Sequence, residues 1–137
     1  DIYKRISTIE TDEEYMDMQD ELLDRFGDIP KSVENLLKIA MVRALAHRAY
    51  VTEVFVNRQE IRLTMYQKAK LDVTRIPDFV QSYKGELKLV PGETPVFHYV
   101  DRKNKNSDSL IMLEKARTML EQLGKLGQKE PGGNGAD

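Results

Sequence analysis

The sequence contains no cysteine and no tryptophan, and its 137 residues include only two histidines, His47 and His98. Without thiols there is no disulfide framework, no thiolate nucleophile and no cysteine-ligated zinc. Two histidines with no partner at metal spacing are too few for an all-histidine site. A reducing, cytosolic setting is the natural reading, although a chain without cysteine is also tolerated outside the cell. Long apolar runs are missing as well, since no stretch approaches the roughly 20 residues that a bilayer-spanning helix needs. The opening DIYKRISTIE has neither the apolar centre nor the small-residue cleavage site of a signal peptide. No G-x-x-x-x-G-K-[ST] occurs, and the GGNG near the C-terminus lacks both the lysine and a following helix. No phosphate-cradling loop and no cofactor are therefore expected. The first residue is Asp1 rather than Met, as in a piece excised from something longer.

What is present is 40% apolar and 32% charged residues, the composition of a soluble globular domain. The length suits one core, read as a single domain over residues 1–127. The last stretch, QKEPGGNGAD, offers too little apolar surface to offset the entropy of ordering it, so residues 128–137 read as a disordered tail. The net charge of −2 conceals an asymmetry. Between Thr11 and Asp28 eight acids face one base, Arg25, a local charge of −7 that leaves +5 for the remainder.

Periodicity predicts an α+β fold with N-terminal helices, a small antiparallel sheet of about four strands, a short connecting helix and a C-terminal covering helix. Ile2, Ile6 and Ile9 mark a first helix over Ile2 to Glu10. Thr11 and Glu14 form a capping-box pattern at the start of a second, and Gly27 supplies its stop. Within that helix Tyr15, Met18, Leu22 and Phe26, widened by Leu23, make a stripe expected to face the core. A third helix runs from about Lys31 to Ala49 after Pro30. It is apolar on nearly every side, with Leu36, Ile39, Met41 and Val42 among its residues, and is expected to be the most buried. Two-residue alternation then marks strands in VTEVFVN and EIRLTMY, joined by Asn57-Arg58-Gln59, and in ELKLV and PVFHYV, joined by Pro91 to Thr94. Ile76 to Lys84, closed by Gly85, reads as a short helix, and Leu110, Leu113, Ala116, Leu120 and Leu123 carry the last one.

The second helix holds the most informative chemistry. At about 100° per residue, Glu13, Asp17, Asp20, Glu21 and Asp24 fall on one stripe opposite Tyr15, Leu22 and Phe26. Like charges at i and i+4, Asp17 with Glu21 and Asp20 with Asp24, each cost a few tenths of a kcal/mol. Such a stripe is either a solvated face or a docking face for a basic partner. General acid–base work needs carboxyls in unlike environments, which a convex exposed stripe does not provide. A divalent cation would normally need loop carbonyls as well. No catalytic constellation and no metal site are expected, so the chain reads as no enzyme in itself. Arg58, Arg62, Lys68, Lys70, Lys84, Lys88, Arg102, Lys103 and Lys105, with Tyr66 or Tyr99 for stacking, offer the alternative of a nucleic-acid or polymerase contact through the basic second half.

ELLDRFGDIPKSVENLLKIAMVRALA, from Glu21 to Ala46, with YKRISTIETDEEY upstream, resembles the C-terminal domain of bacterial transcription-repair coupling factor. The resemblance carries specific residues from about Ile2 to Tyr50 and continues beyond only in order and length. It implies a regulatory module at the end of an ATP-dependent DNA translocase that removes stalled RNA polymerase and recruits excision repair through UvrA. In that family the terminal domain packs on a UvrB-like module of the same chain and masks its UvrA-binding surface. The motor's ATP and DNA sites lie in other domains of a cytoplasmic protein. The resemblance makes Glu21 and Asp24 the first candidates for contacting basic residues of that module, with Asp20 and Asp17 as a rim.

Overall fold

The computed structural model describes residues 2–69, 71–103 and 108–126. Among the described residues nine elements follow in order: α1 (Ile2–Ser7), α2 (Asp12–Phe26), α3 (Lys31–Arg48), β1 (Val51–Val56), β2 (Glu60–Met65), α4 (Ile76–Gln81), β3 (Leu87–Val90), β4 (Val96–Val100) and α5 (Ser109–Lys125). The fold is the expected mixture of helices and a four-stranded antiparallel sheet, with strand order β1-β2-β4-β3. Residues 128–137, read as a tail, lie outside the described residues.

The strands alternate as a half-buried sheet must. Ile61, Leu63 and Met65 of β2, Leu87 of β3 and Phe97 and Tyr99 of β4 turn inward. They meet Met41, Val42 and Leu45 of α3 and Met112, Ala116, Met119, Leu120 and Leu123 of α5. The α5 stripe is therefore centred on Met112 and Met119, while Leu110 and Leu113 sit at its margin. Asp108 starts this helix by accepting the Leu110 N–H at 2.9 Å. Between β1 and β2 the Asn57 side-chain oxygen accepts the N–H groups of Gln59 and Glu60, both at 2.8 Å, so an Asx-type turn closes the hairpin.

A second, smaller cluster replaces the single core expected. Ile6, Ile9, Met18, Leu22, Leu37 and Ala40 pack together, and Tyr15 touches both clusters. The bridge between them is α3, which holds seven buried residues, more than any other described helix. Its burial is nevertheless one-sided, because Leu36 lies at the surface and Ile39 remains 50% exposed. The first helix ends at Ser7, and Ile9 is buried from the turn that follows it. Helix α4 ends at Gln81, ahead of the expected Lys84. The chain reverses through Lys84 at φ +53 and Gly85 at φ +89, a conformation that glycine tolerates and that ends the turn.

Candidate functional site

The site is α2 and the side chains it presents. Thr11 caps the helix, its hydroxyl accepting the Glu14 N–H at 3.1 Å. The Glu14 carboxylate reaches back to the N–H of Glu10 at 3.1 Å, one residue before the cap, so the box closes one position earlier than the motif alone predicts. At the other end Gly27, with φ +74, donates its N–H to the Leu23 carbonyl at 2.8 Å. These fixed ends set the rotation of the helix, and Met18 and Leu22 point into the smaller cluster.

The predicted acidic residues divide into two groups. Glu21 is half-buried and held by Arg5 of α1 through two parallel hydrogen bonds, both of 2.6 Å, with Arg25 at 3.4 Å as a weaker local partner. This bidentate geometry matches a planar guanidinium to a carboxylate. Hydrogen bonding to Arg5 holds the Glu21 carboxyl below the usual carboxylate range. That outweighs the upward push of partial desolvation and is reinforced by attraction to Arg5 and then by Arg25. The same pair raises the Arg5 pKa above its ordinary value. Glu21 thus has work inside the fold, tying α1 to α2, which spacing along α2 does not reveal.

Asp17, Asp20 and Asp24 are exposed, as is Glu13. Among the described residues none of these four carboxylates has a hydrogen-bond or ion-pair partner. Asp24 also lies in the last turn of α2, where the helix dipole disfavours negative charge. Among the described residues the placement of these carboxylates gains no stabilising partner.

Beside them lies apolar surface that the stripe reading assigned to the core. Leu23 is 45% exposed and Phe26 54%, contrary to expectation, because among the described residues no element covers them. Met16, 61% exposed, lies seven residues before Leu23 on the same flank and was missed. Its signal in the sequence is a large apolar residue out of phase with Tyr15, Met18 and Leu22. The exposed face of α2 is therefore a row of free carboxylates with an apolar margin. Interfaces that bury a polar rim around apolar contacts are built from such surfaces.

Of the residues proposed for nucleic acid, Tyr99 is 2% exposed and cannot stack on a base. Its hydroxyl accepts the Lys115 ammonium at 2.9 Å inside the fold. Tyr66 is exposed, and Lys70 and Lys105 fall outside the described residues. His47 lies on the surface, while His98 stands on the open face of the sheet with Nε2 2.9 Å from Glu60.

The model of the TRCF domain family matches residues 1–76, more than half of the chain and all of this site. The chain belongs to the TRCF domain family. The transcription-repair-coupling factor of Bacillus subtilis (strain 168) is 36% identical over 73 residues, covering 53% of this chain and 6% of that protein. That of Myxococcus xanthus is 25% identical over 121 residues, covering 88% of this chain and 10% of that protein. A crystal structure of the C-terminal domain of transcription-repair coupling factor shares the fold, with a TM-score of 0.69 over 92% of this chain and 78% of that one at 24% identity. This TRCF domain thus spans 6% and 10% of the two full-length relatives.

Proposed function

We propose that the domain, over residues 1–127, is the regulatory interaction module of a transcription-repair coupling factor. It docks through α2 on the UvrB-like module of the same chain. Docked, it masks the surface that binds UvrA and restrains an ATP-dependent DNA translocase, whose nucleotide and DNA sites lie in other domains, until stalled RNA polymerase is engaged in the cytoplasm. The observation that carries this reading is the free row of Asp17, Asp20 and Asp24, bordered by exposed Met16, Leu23 and Phe26. Repulsion along the row weakens the helix slightly, and among the described residues no ion pair to these three aspartates offsets it.

Tethering makes a weak contact sufficient. Two surfaces on one chain see each other at an effective concentration of about the millimolar range, so modest charge pairs keep them closed while a competing partner displaces them. Glu21 contributes by fixing α2 against α1, and Asp24, Asp20 and Asp17 meet the basic residues.

The test uses the full-length coupling factor with Asp20 and Asp24 both changed to Lys, variants that leave the Arg5–Glu21 clamp in place. UvrA binding and ATPase activity without polymerase should both rise. Unchanged values in a folded protein would overturn the docking role. Salt-dependent DNA binding by the domain itself, surviving the double change, would support the basic second half as the contact instead.

A further inference from the structure

The sequence holds six methionines, and the fold sets one of them apart. Met18, Met41, Met65, Met112 and Met119 are at most 5% exposed and lie within the two apolar clusters. Met16, on α2, is open to solvent. At about 100° per residue it falls on the seam of the exposed face, between Asp20 and Asp24 on one side and Leu23 and Phe26 on the other. Leucine would fill an exposed apolar position equally well. What a thioether adds there is a sulfur that takes up oxygen.

The surroundings select the oxidant. Glu13 and Asp20, three residues before Met16 and four after, share its side of the helix, and their charge repels an anionic oxidant such as hypochlorite while leaving uncharged hydrogen peroxide unhindered. The sulfur lone pair attacks one peroxide oxygen, so that an S–O bond forms as the O–O bond breaks. The proton on the transferred oxygen passes to the departing hydroxide, which leaves as water. Sulfur loses two electrons and peroxide takes them. The sulfoxide oxygen is then an acceptor with no free donor beside it. Ionised Glu13 and Asp20 only accept, and Gln19, the neighbour with N–H groups, donates to the Tyr15 hydroxyl at 3.5 Å. Pressed against a partner, that oxygen either stays unpaired or takes a donor away from an aspartate.

We propose that Met16 is a reversible oxidation site for hydrogen peroxide and that its sulfoxide keeps α2 from docking. The inference rests on the docking role proposed for α2 and adds a control to it. Docking covers Met16, so oxygen is taken up while the contact is briefly open, and the oxidised helix does not close again. Reduction by a dithiol, which becomes a disulfide as the oxygen leaves as water, restores the thioether and the contact.

The test exposes the 137-residue chain and the full-length coupling factor to hydrogen peroxide and follows added oxygen by peptide mass spectrometry. Met16 should be the first of the six methionines to gain oxygen. It should do so more slowly in the full-length protein than in the chain alone, and faster again once Asp20 and Asp24 are changed to Lys. In the oxidised full-length protein, UvrA binding and ATPase activity without polymerase should rise by up to about tenfold, the effect of burying one unpaired polar group. A methionine sulfoxide reductase with a dithiol should reverse the rise. Met16→Leu should be indifferent to peroxide, and Met16→Gln, polar and of similar helix propensity, should show the rise without it. Oxidation of a buried methionine as fast as Met16, or an equal response of Met16→Leu to peroxide, would overturn the proposal. A rise on changing Asp20 and Asp24 to Lys with none on oxidising Met16 would overturn this inference and leave the docking role standing. No rise from either would remove the docking role and this inference with it.

Discussion

Among the described residues nineteen buried apolar side chains close the sheet half, whereas six close the helical half around α1 and α2. The helical half is held in addition by polar clamps at its surface: Arg5 on Glu21, Arg43 on the Ser7 carbonyl, and Arg48 of α3 3.8 Å from Asp12. Apolar burial contributes about 25 cal/mol per Å², while exposed ion pairs contribute little. The sheet half is thus the rigid foundation, and α1 with α2 is the part that opens first under stress. The docking role proposed for α2 places that contact on the less tightly held part.

The sharpest way to break this comparison is a matched pair of core truncations. Leu120→Ala in the larger cluster should lower global stability by about 2–5 kcal/mol, read by denaturant unfolding. Leu22→Ala in the smaller cluster should remove hydrogen-exchange protection chiefly from α1 and α2 while β2 and β4 stay protected. If Leu22→Ala lowers protection equally in every strand, the two halves are one cooperative unit and the distinction fails. A smaller effect is expected of Thr11→Ala, which removes the cap of α2 and should cost about 1 kcal/mol, again with protection lost first in α2.

The halves should also differ with pH. The Glu21 carboxyl is held below its unfolded value, so its contribution is present above the unfolded pKa and is lost as pH falls through the lowered folded one. Acid should therefore loosen α1 from α2 first, and Glu21→Gln should abolish this pH step. In the sheet half, burial first and neighbouring Tyr99 second push the Tyr83 phenol up to about 12 from 10.0. That contribution is complete below 10.0 and disappears as pH rises toward 12, and Tyr83→Phe should remove this alkaline step. The smallest effect is a gain: Asp24→Lys relieves its repulsion with Asp20 and should stabilise the domain by a few tenths of a kcal/mol, measurable as a raised melting midpoint.

Local chemistry made much of the architecture legible. Thr11, Glu14 and Gly27 bound α2, Gly85 marks the reversal after α4, and alternation in EIRLTMY and PVFHYV locates the two central strands. The same alternation places Tyr99 with Phe97 on the inward face, so its burial was available to the spacing even though the residue also suited stacking. Periodicity identifies which residues share a face, but not whether another element covers that face. Leu23, Phe26 and Ile39 are exposed for that reason. The Arg5 partner of Glu21 lies 16 residues away on another helix, and no count along α2 leads to it. The acidic stripe was visible, but its division into a clamped Glu21 and free Asp17, Asp20 and Asp24 depends on the packing of α1.

The central claim is that these free aspartates bind basic groups on the UvrB-like module. Its most direct measurement is the affinity of the domain for that module across a salt series, for the natural chain and for a variant with Asp17, Asp20 and Asp24 changed to Asn. The account predicts binding that weakens as salt rises, with the variant weaker at low salt and nearly insensitive to it. Equal affinity and equal salt dependence of the two chains would contradict it.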